Sequence, residues 1–410
     1  MESNFNSQFF AGNRVRLREL FTGKAPIVVS SNGLLQRGGD SAYPFAQDAN
    51  FWYLTGINEP DILLVMDKGK EYLIVPNRSA SREAFDGAIA LDSLKTRSGI
   101  STIYSDKDGW NHLSARLNKV KHIATVAPVP TYIEQFGLFA NPARAALVSR
   151  LKSYKVGLEL LDLGPHLSRL RMVKQPQELA AIQKAIDITA TSLKVAFKAP
   201  KLAKYKYEYE LEAELSRSFR RLGSDGHAFE PIVASGERAC TLHNVNNCGL
   251  FDGNQLVVVD VGAEVEHYAA DITRTISLGT ISRRQQAVYN AVLEVQNYAI
   301  DLLRPGTLLK DYEQLVEHFM GEKLRELGLI KTINHENVRK YYPHATSHFL
   351  GLNVHDVGDY DRPLEAGVVL TVEPGIYIKH ENIGVRIEDD VLITLAGNKI
   401  LSNKLSRELR

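Results

Sequence analysis

Cysteine is nearly absent from this chain, which has 2 thiols, Cys240 and Cys248, in 410 residues. So few cannot lay down a disulfide framework, and a reducing, cytoplasmic setting is expected. A zinc site on Cys240, His243 and Cys248 would need a fourth ligand in a tight pair, and the neighbouring sequence offers none. Net charge is equally scarce. Lys and Arg number 49 against 48 Asp and Glu, a formal +1, and no basic stripe interleaves with aromatics, so nucleic acid is not an expected partner. Lys201, Lys204 and Lys206 are answered at once by Glu208, Glu210 and Glu212, as at a solvated helix start. No run of about 18 apolar residues is present to span a bilayer. Met1 to Leu20 holds no apolar core of the kind a signal peptide needs, so neither a membrane nor secretion is expected. Low-complexity segments are missing too. With 44% hydrophobic and 24% charged residues, the composition is that of a folded globular protein.

A chain of 410 residues exceeds what one core usually organises, so two domains are expected. Residues 171–177, with Pro176, mark the junction and give domains over 1–172 and 173–410. In the first, short apolar runs at 27–30, 62–66, 71–75 and 122–126, separated by turns such as Asn32-Gly33 and Asp67-Lys68-Gly69, predict a small α/β domain. In the second, helical periodicity predicts amphipathic helices over 178–197, 208–222, 283–303 and 309–327. Gly223, Pro305-Gly306 and Gly328 stop the last three. Stretches rich in Val and Ile at 255–261, 267–276, 368–373 and 384–393 predict mostly antiparallel strands, and the fold class expected is α+β. Helix pairs followed by strand pairs occur twice, which suggests a pseudo-symmetric repeat.

The chemistry is carried by carboxylates that interrupt apolar runs. In a strand of period two, Val259 and Val261 face one way and Asp260 the other. Asp271 follows eleven positions on, with Thr273 and Thr275 on its side, and a turn near 264–266 would point both aspartates at one spot. Either alone reads as a strand-end cap or a surface residue; together, in so apolar a setting, they favour a site. Between 343 and 358, three of the chain's 12 histidines, His344, His348 and His355, fall together with Gly351 and Gly358. Neutral imidazole suits first-row metals and its pKa suits proton transfer, so one is expected to bind metal and the others substrate. Glu373 ends the apolar run 368–372 just before Pro374-Gly375. Arg386 and Glu388 share a strand face, and the arginine is expected to hold an aspartate such as Asp260 by charged hydrogen bonds. Asp389 and Asp390 are expected in no more than surface ion pairs. Gathered at one point, the four carboxylates Asp260, Asp271, Glu373 and Glu388 with His348 would carry −4, which two divalent cations would neutralise.

The runs 260–275, 344–358, 371–377 and 384–390 resemble the metal-binding motifs of the pita-bread peptidases, the group of aminopeptidase P, prolidase and methionine aminopeptidase. The N-terminal half resembles an aminopeptidase P N-domain, notably at 40–45, 50–56 and 58–60, and the resemblance covers nearly the whole chain. It implies a C-terminal pita-bread domain preceded by a smaller α/β domain. It further implies that Asp271 and Glu388 bridge two metals, Asp260 completes one, and His348 with Glu373 the other. Glu373 would also accept a proton from water. His243 would lie over the site, His344 contact substrate, and His355 hold the scissile carbonyl or shuttle a proton. Tyr360 and Arg386 would form a supporting pair, and Asp40 would reach a neighbour's active site in a homodimer or homotetramer.

The activity implied is cleavage of Xaa-Pro- peptides after the first residue, with Mn²⁺ expected because the ligands are oxygen-rich, and Zn²⁺ or Co²⁺ as alternatives. Prolidase, with Arg362 gripping the carboxylate of a dipeptide, is the nearest rival reading; a catalytically inactive peptide-binding relative is the other. The chain departs from the bacterial pattern at Phe85, where a Trp is frequent, and in a short loop between Tyr360 and Glu373. Both bear on peptide length rather than on metal chemistry.

Overall fold

The structure, a computed structural model, describes residues 4–128 and 135–409. The chain divides into two compact units, Met1–Leu170 and Arg171–Arg410. The first is built on a six-stranded sheet in the order Ile103–Ser105, Lys70–Val75, Leu63–Asp67, Ile27–Ser30, His122–Thr125, Glu159–Asp162. Its central strands pair antiparallel, with Lys68 and Gly69 turning at positive φ, while the outer pairs run parallel. Trp110, Leu113 and Leu117 of the helix Asp106–Leu117 recur at helical spacing and pack on Val28, Val65 and Ile74 of the sheet. Each such fully buried side chain contributes roughly 1.5–3 kcal/mol.

The second unit is α+β, as its periodicities predict. Its helices Pro176–Ala196 and Glu208–Arg221 are followed by the antiparallel strands Ile232–Ser235, Gln255–Val261 and Ile272–Leu278. The helices Arg283–Leu302 and Leu309–Glu326 are then followed by Val369–Val372, Asp389–Thr394 and Gly397–Ile400. The same element order thus occurs twice. Pro176 stands in the first helical turn, with Gln175 and Glu178 forming a capping box. Gly223 and Gly328, at φ 89 and 73, end two helices where the sequence placed their stops. Val288, Val292 and Val295 of one helix and Tyr312, Val316 and Met320 of the next bury one face against Leu370, Val372 and Val391.

Two expected strands are interrupted. The stretch 267–276 is split into Tyr268–Ala269 and Ile272–Leu278, and 384–393 into Ile383–Arg386 and Asp389–Thr394, whose halves belong to different sheets. The cause is long-range pairing. At the first break the Asp271 amide donates to Asp390 Oδ2 (3.2 Å). At the second, the Ile387 and Glu388 amides donate to the carbonyls of Pro374 and Thr273. The hairpin turn lies at Glu266 and His267, both at positive φ (50° and 68°), between the paired residues Val265 and Tyr268. That geometry usually attracts glycine, and its absence explains why the sequence places the turn slightly early.

Candidate active site

The interruptions are where the site forms. Asp271, Glu373 and Glu388 each occupy a gap between two strands, and each is fixed by its own amide. Asp271 N donates to Asp390, Glu373 N to the carbonyl of Thr346 (2.9 Å), and Glu388 N to that of Thr273 (3.1 Å). Asp260 is the next-to-last residue of Gln255–Val261, opposite Thr273. His348 pairs with Thr371 through both its backbone groups. Gly262 carries the chain past the Ala270 carbonyl so closely that a Cβ there would meet its oxygen at 1.7 Å.

Asp260, Asp271, His348, Glu373 and Glu388 line one cavity of about 580 Å³, together with His243, His344, His355, Tyr360 and Arg386 and the apolar walls Phe229, Ile232, Leu242, Val245 and Val354. Candidate ligand atoms of Asp271, His348 and Glu388 lie within 4.8 Å of one another. His348 Nε2 stands 3.4 Å from Asp271 and 3.3 Å from Glu373. Its Nδ1 faces the Phe349 carbonyl (3.1 Å), so that nitrogen carries the proton and Nε2 turns a lone pair to the carboxylates. Burial, reinforced by His355, pulls the His348 imidazole down to about 3, which keeps it neutral.

Burial, then repulsion from Glu388 and Asp260, holds the Asp271 carboxyl well above the usual carboxylate range. Burial and then Glu373 and Asp260 do the same to Glu388. Burial pushes Glu373 up to about 8, with Arg386 opposing. Asp260 Oδ1 and Glu388 Oε1 are buried and have no hydrogen-bond partner among the described residues. Such oxygens are costly to bury, and a divalent cation is the partner this set of donors suits.

Arg386, buried, donates to Asp260 Oδ2 (2.6 Å), to Thr273 Oγ1 (3.2 Å) and to the Tyr377 hydroxyl (2.9 Å). Tyr377 continues to His344 Nε2 (2.9 Å), and His344 Nδ1 lies 2.9 Å from the Ala345 carbonyl. The tyrosine joined to Arg386 is therefore Tyr377, while the ring of Tyr360 packs edge-on against Phe349 at 4.8 Å. Asp40 belongs to the other unit, exposed between the bridged residues Gln36 and Ala42.

The expectation of surface ion pairs at Asp389 and Asp390 is overturned, since both are 0% exposed. Asp389 receives Arg274 (2.7 Å) and Gln296 (3.0 Å), and Asp390 holds the Asp271 amide. Burial of the strand Asp389–Thr394 on both faces leaves these carboxylates no solvent to face. Sequence reasoning also missed Tyr377, Glu313 and Thr346. Glu313 accepts from the Thr346 amide (2.9 Å) and hydroxyl (3.0 Å) and so braces the segment bearing His344 and His348. A glutamate on an amphipathic helix gives no signal of such a contact. Cys240 and Cys248 are free thiols.

Residues 180–395 match the model of metallopeptidase family M24, and residues 10–124 that of the aminopeptidase P N-terminal domain. The Xaa-Pro aminopeptidase of Haemophilus influenzae is 33% identical over 98% of this chain and 95% of its own length. Xaa-Pro aminopeptidase 3 of Homo sapiens is 34% identical over 93% of this chain and 79% of its own. Aminopeptidase P from E. coli in its low-pH form superposes with a TM-score of 0.87 at 30% identity, covering 100% of this chain and 97% of that one. The zinc-substituted E. coli enzyme in complex with product gives 0.86 at 30% identity, covering 98% and 96%. An acidic, histidine-bearing cavity on a pita-bread fold defines a metal-dependent hydrolase. The chain belongs to metallopeptidase family M24, in its aminopeptidase P branch.

Proposed function

We propose that this protein is a dinuclear Xaa-Pro aminopeptidase, releasing the first residue of peptides whose second residue is proline. The observation that carries the reading is the convergence of three buried carboxylates, the partly buried Glu373 and a neutral histidine on one cavity, two of the carboxylate oxygens lacking any protein donor among the described residues. In this reading Asp271 and Glu388 would be shared by the two ions, with Asp260 holding one and His348 with Glu373 the other. Mn²⁺ is the proposed metal. When bound, the ions supply Lewis-acid polarisation of the carbonyl and a water of lowered pKa.

In this reading Glu373, on the cavity wall, would accept the proton of the attacking water. The Xaa-Pro bond is a tertiary amide, so its nitrogen must be protonated to leave. Glu373 or His243 is the proposed donor. His355 would hold the scissile carbonyl and His344 the substrate, with Tyr360 beside them on the cavity wall, while Arg386 orients Asp260 and Asp40 acts toward a neighbouring copy in a homodimer or homotetramer. Arg362, which a prolidase reading would use as its clamp, is absent from the cavity wall and faces Glu365 at 3.9 Å. No helix among the described residues is long and apolar enough to cross a membrane, and a cytoplasmic location is proposed.

The test pairs metal content with rates on Gly-Pro and on Xaa-Pro-Xaa peptides of increasing length. Turnover of the longer peptides only with metal is expected. Turnover of the dipeptide alone would make the enzyme a prolidase, and no turnover with any metal would leave a binding protein.

A further inference from the structure

We propose that Asp356, clamped by Arg171 and Lys174, is the positioning residue that holds His355 in the cavity, an inference that rests on the peptidase reading of the site. His355 opens onto the cavity and touches the His348 ring at 4.2 Å between centroids, yet among the described residues its imidazole makes no hydrogen bond. Its place must come from its backbone. The next residue supplies an anchor: the Asp356 carboxylate is 1% exposed and receives the Arg171 guanidinium and the Lys174 ammonium (3.5 Å), themselves 2% and 0% exposed. One side chain enters the interior while its neighbour enters the cavity.

The loop is closed as well as anchored. Asp356 N donates to the Phe349 carbonyl (2.8 Å), and Ala269 N to that of Gly351 (2.9 Å). A Cβ on Gly351 would meet Asp356 Oδ2 at 2.2 Å, so only glycine lets the carboxylate lie there. Behind the clamp, buried Glu178 accepts from Gln175 N (2.9 Å) and from the Tyr268 hydroxyl (2.9 Å), three residues before Asp271. Arg171 and Lys174 are thus paired with Asp356, and Glu178 also acts electrostatically on Lys174 from behind. Buried ion clusters are poor stabilisers compared with packed apolar groups, whereas they define geometry sharply.

The experiment is a double-mutant cycle on the metal-loaded full chain with an Xaa-Pro-Xaa peptide. Asp356→Asn is expected to lower kcat/KM by ~10–100-fold, mainly through kcat, because a displacement of about 1 Å at a reacting group costs that much. Metal content should be unchanged, and Asp356→Glu should recover part of the loss. In a His355→Ala background, Asp356→Asn should add less than about 2-fold, since the group it positions is gone. Losses that multiply in the double variant, full activity in Asp356→Asn, or loss of metal from it would each overturn the proposal. Should Asp356→Asn not fold, Arg171→Lys, which keeps the charge and shortens the reach, enters the same cycle with the same criteria. Absence of cleavage by the unaltered enzyme would instead overturn the peptidase reading.

Discussion

Thr273 and Thr275 lie two apart on one face of the same buried strand, and their hydroxyls separate ligand control from scaffold. Thr273 Oγ1 donates to Glu388 Oε2 at 2.6 Å, whereas Thr275 Oγ1 donates to the Arg386 carbonyl at 2.9 Å and touches no proposed ligand. Replacing either by Val conserves volume and keeps the backbone pairing of Ile272–Leu278 with Gln255–Val261. The Thr273 bond favours charged Glu388, the form that binds a cation, against the burial that favours its protonated form. Thr273→Val therefore raises that carboxyl's proton affinity further, and metal must displace a more firmly held proton. Loss of a partner of a ligating group typically costs 10–100-fold in metal affinity, about 1.4–2.7 kcal/mol, the range of one hydrogen bond to a charged group. Calorimetric titration of metal-stripped protein with Mn²⁺ should show that weakening at pH 7. The deficit should shrink toward pH 9 as proton competition fades. Thr275→Val should cost about 1 kcal/mol of stability and leave Mn²⁺ affinity within about 3-fold. Equal affinity in Thr273→Val and the unaltered protein, or an equal loss in both variants, would refute the reasoning.

Three further outcomes are expected. With Asp271 and Glu388 held well above the usual carboxylate range and Glu373 at about 8, metal loading at pH 7 should release protons, fewer at pH 9. Calorimetry in two buffers of different ionisation heat checks this, and zero release contradicts it. Burial, then Asp225, pushes Glu264 up to about 7, so the native state holds a proton the unfolded chain has lost, and stability falls as pH rises from the ordinary value of 4.5 through 7. Glu264→Gln removes the carboxylate; its unfolding free energy, read from denaturant titration, should match the unaltered protein near pH 4.5 and exceed it at pH 8 by up to ~3 kcal/mol at 1.36 kcal/mol per unit. An identical pH profile would count against the burial of this carboxyl. Gly262→Ala drives a methyl into the Ala270 carbonyl and should cost ~3 kcal/mol or more in overpacking; a melting point within about 2 °C of the unaltered protein contradicts the close approach.

Legibility followed the range of the interactions involved. Gln255–Val261 is a strand where its apolar run predicts one, and Gly223 and Gly328 stop helices at positive φ, because alternation and chain termination are written in neighbouring residues. The interruptions at Asp271 and Glu388 were not legible. They depend on amides that pair with Asp390 and Thr273, more than a hundred positions away. Tyr377 was hidden for another reason: it lies only nine positions from Arg386, but the pairing of Gly375–Ile378 with Ile383–Arg386 is what brings the two side chains together. Asp389 and Asp390 look like surface residues in the sequence because they are charged, yet both are buried.

The sequence by itself determined the kinds of groups available: carboxylates at the ends of apolar runs, histidines clustered between glycines, and an aminopeptidase P signature across both halves. Tertiary structure alone decided their mutual placement. Cross-sheet hydrogen bonds break the strands where ligand side chains must turn inward, and they orient Asp260 through Arg386 and Glu388 through Thr273. Such bonds join segments far apart along the chain, so no local pattern of residues encodes them.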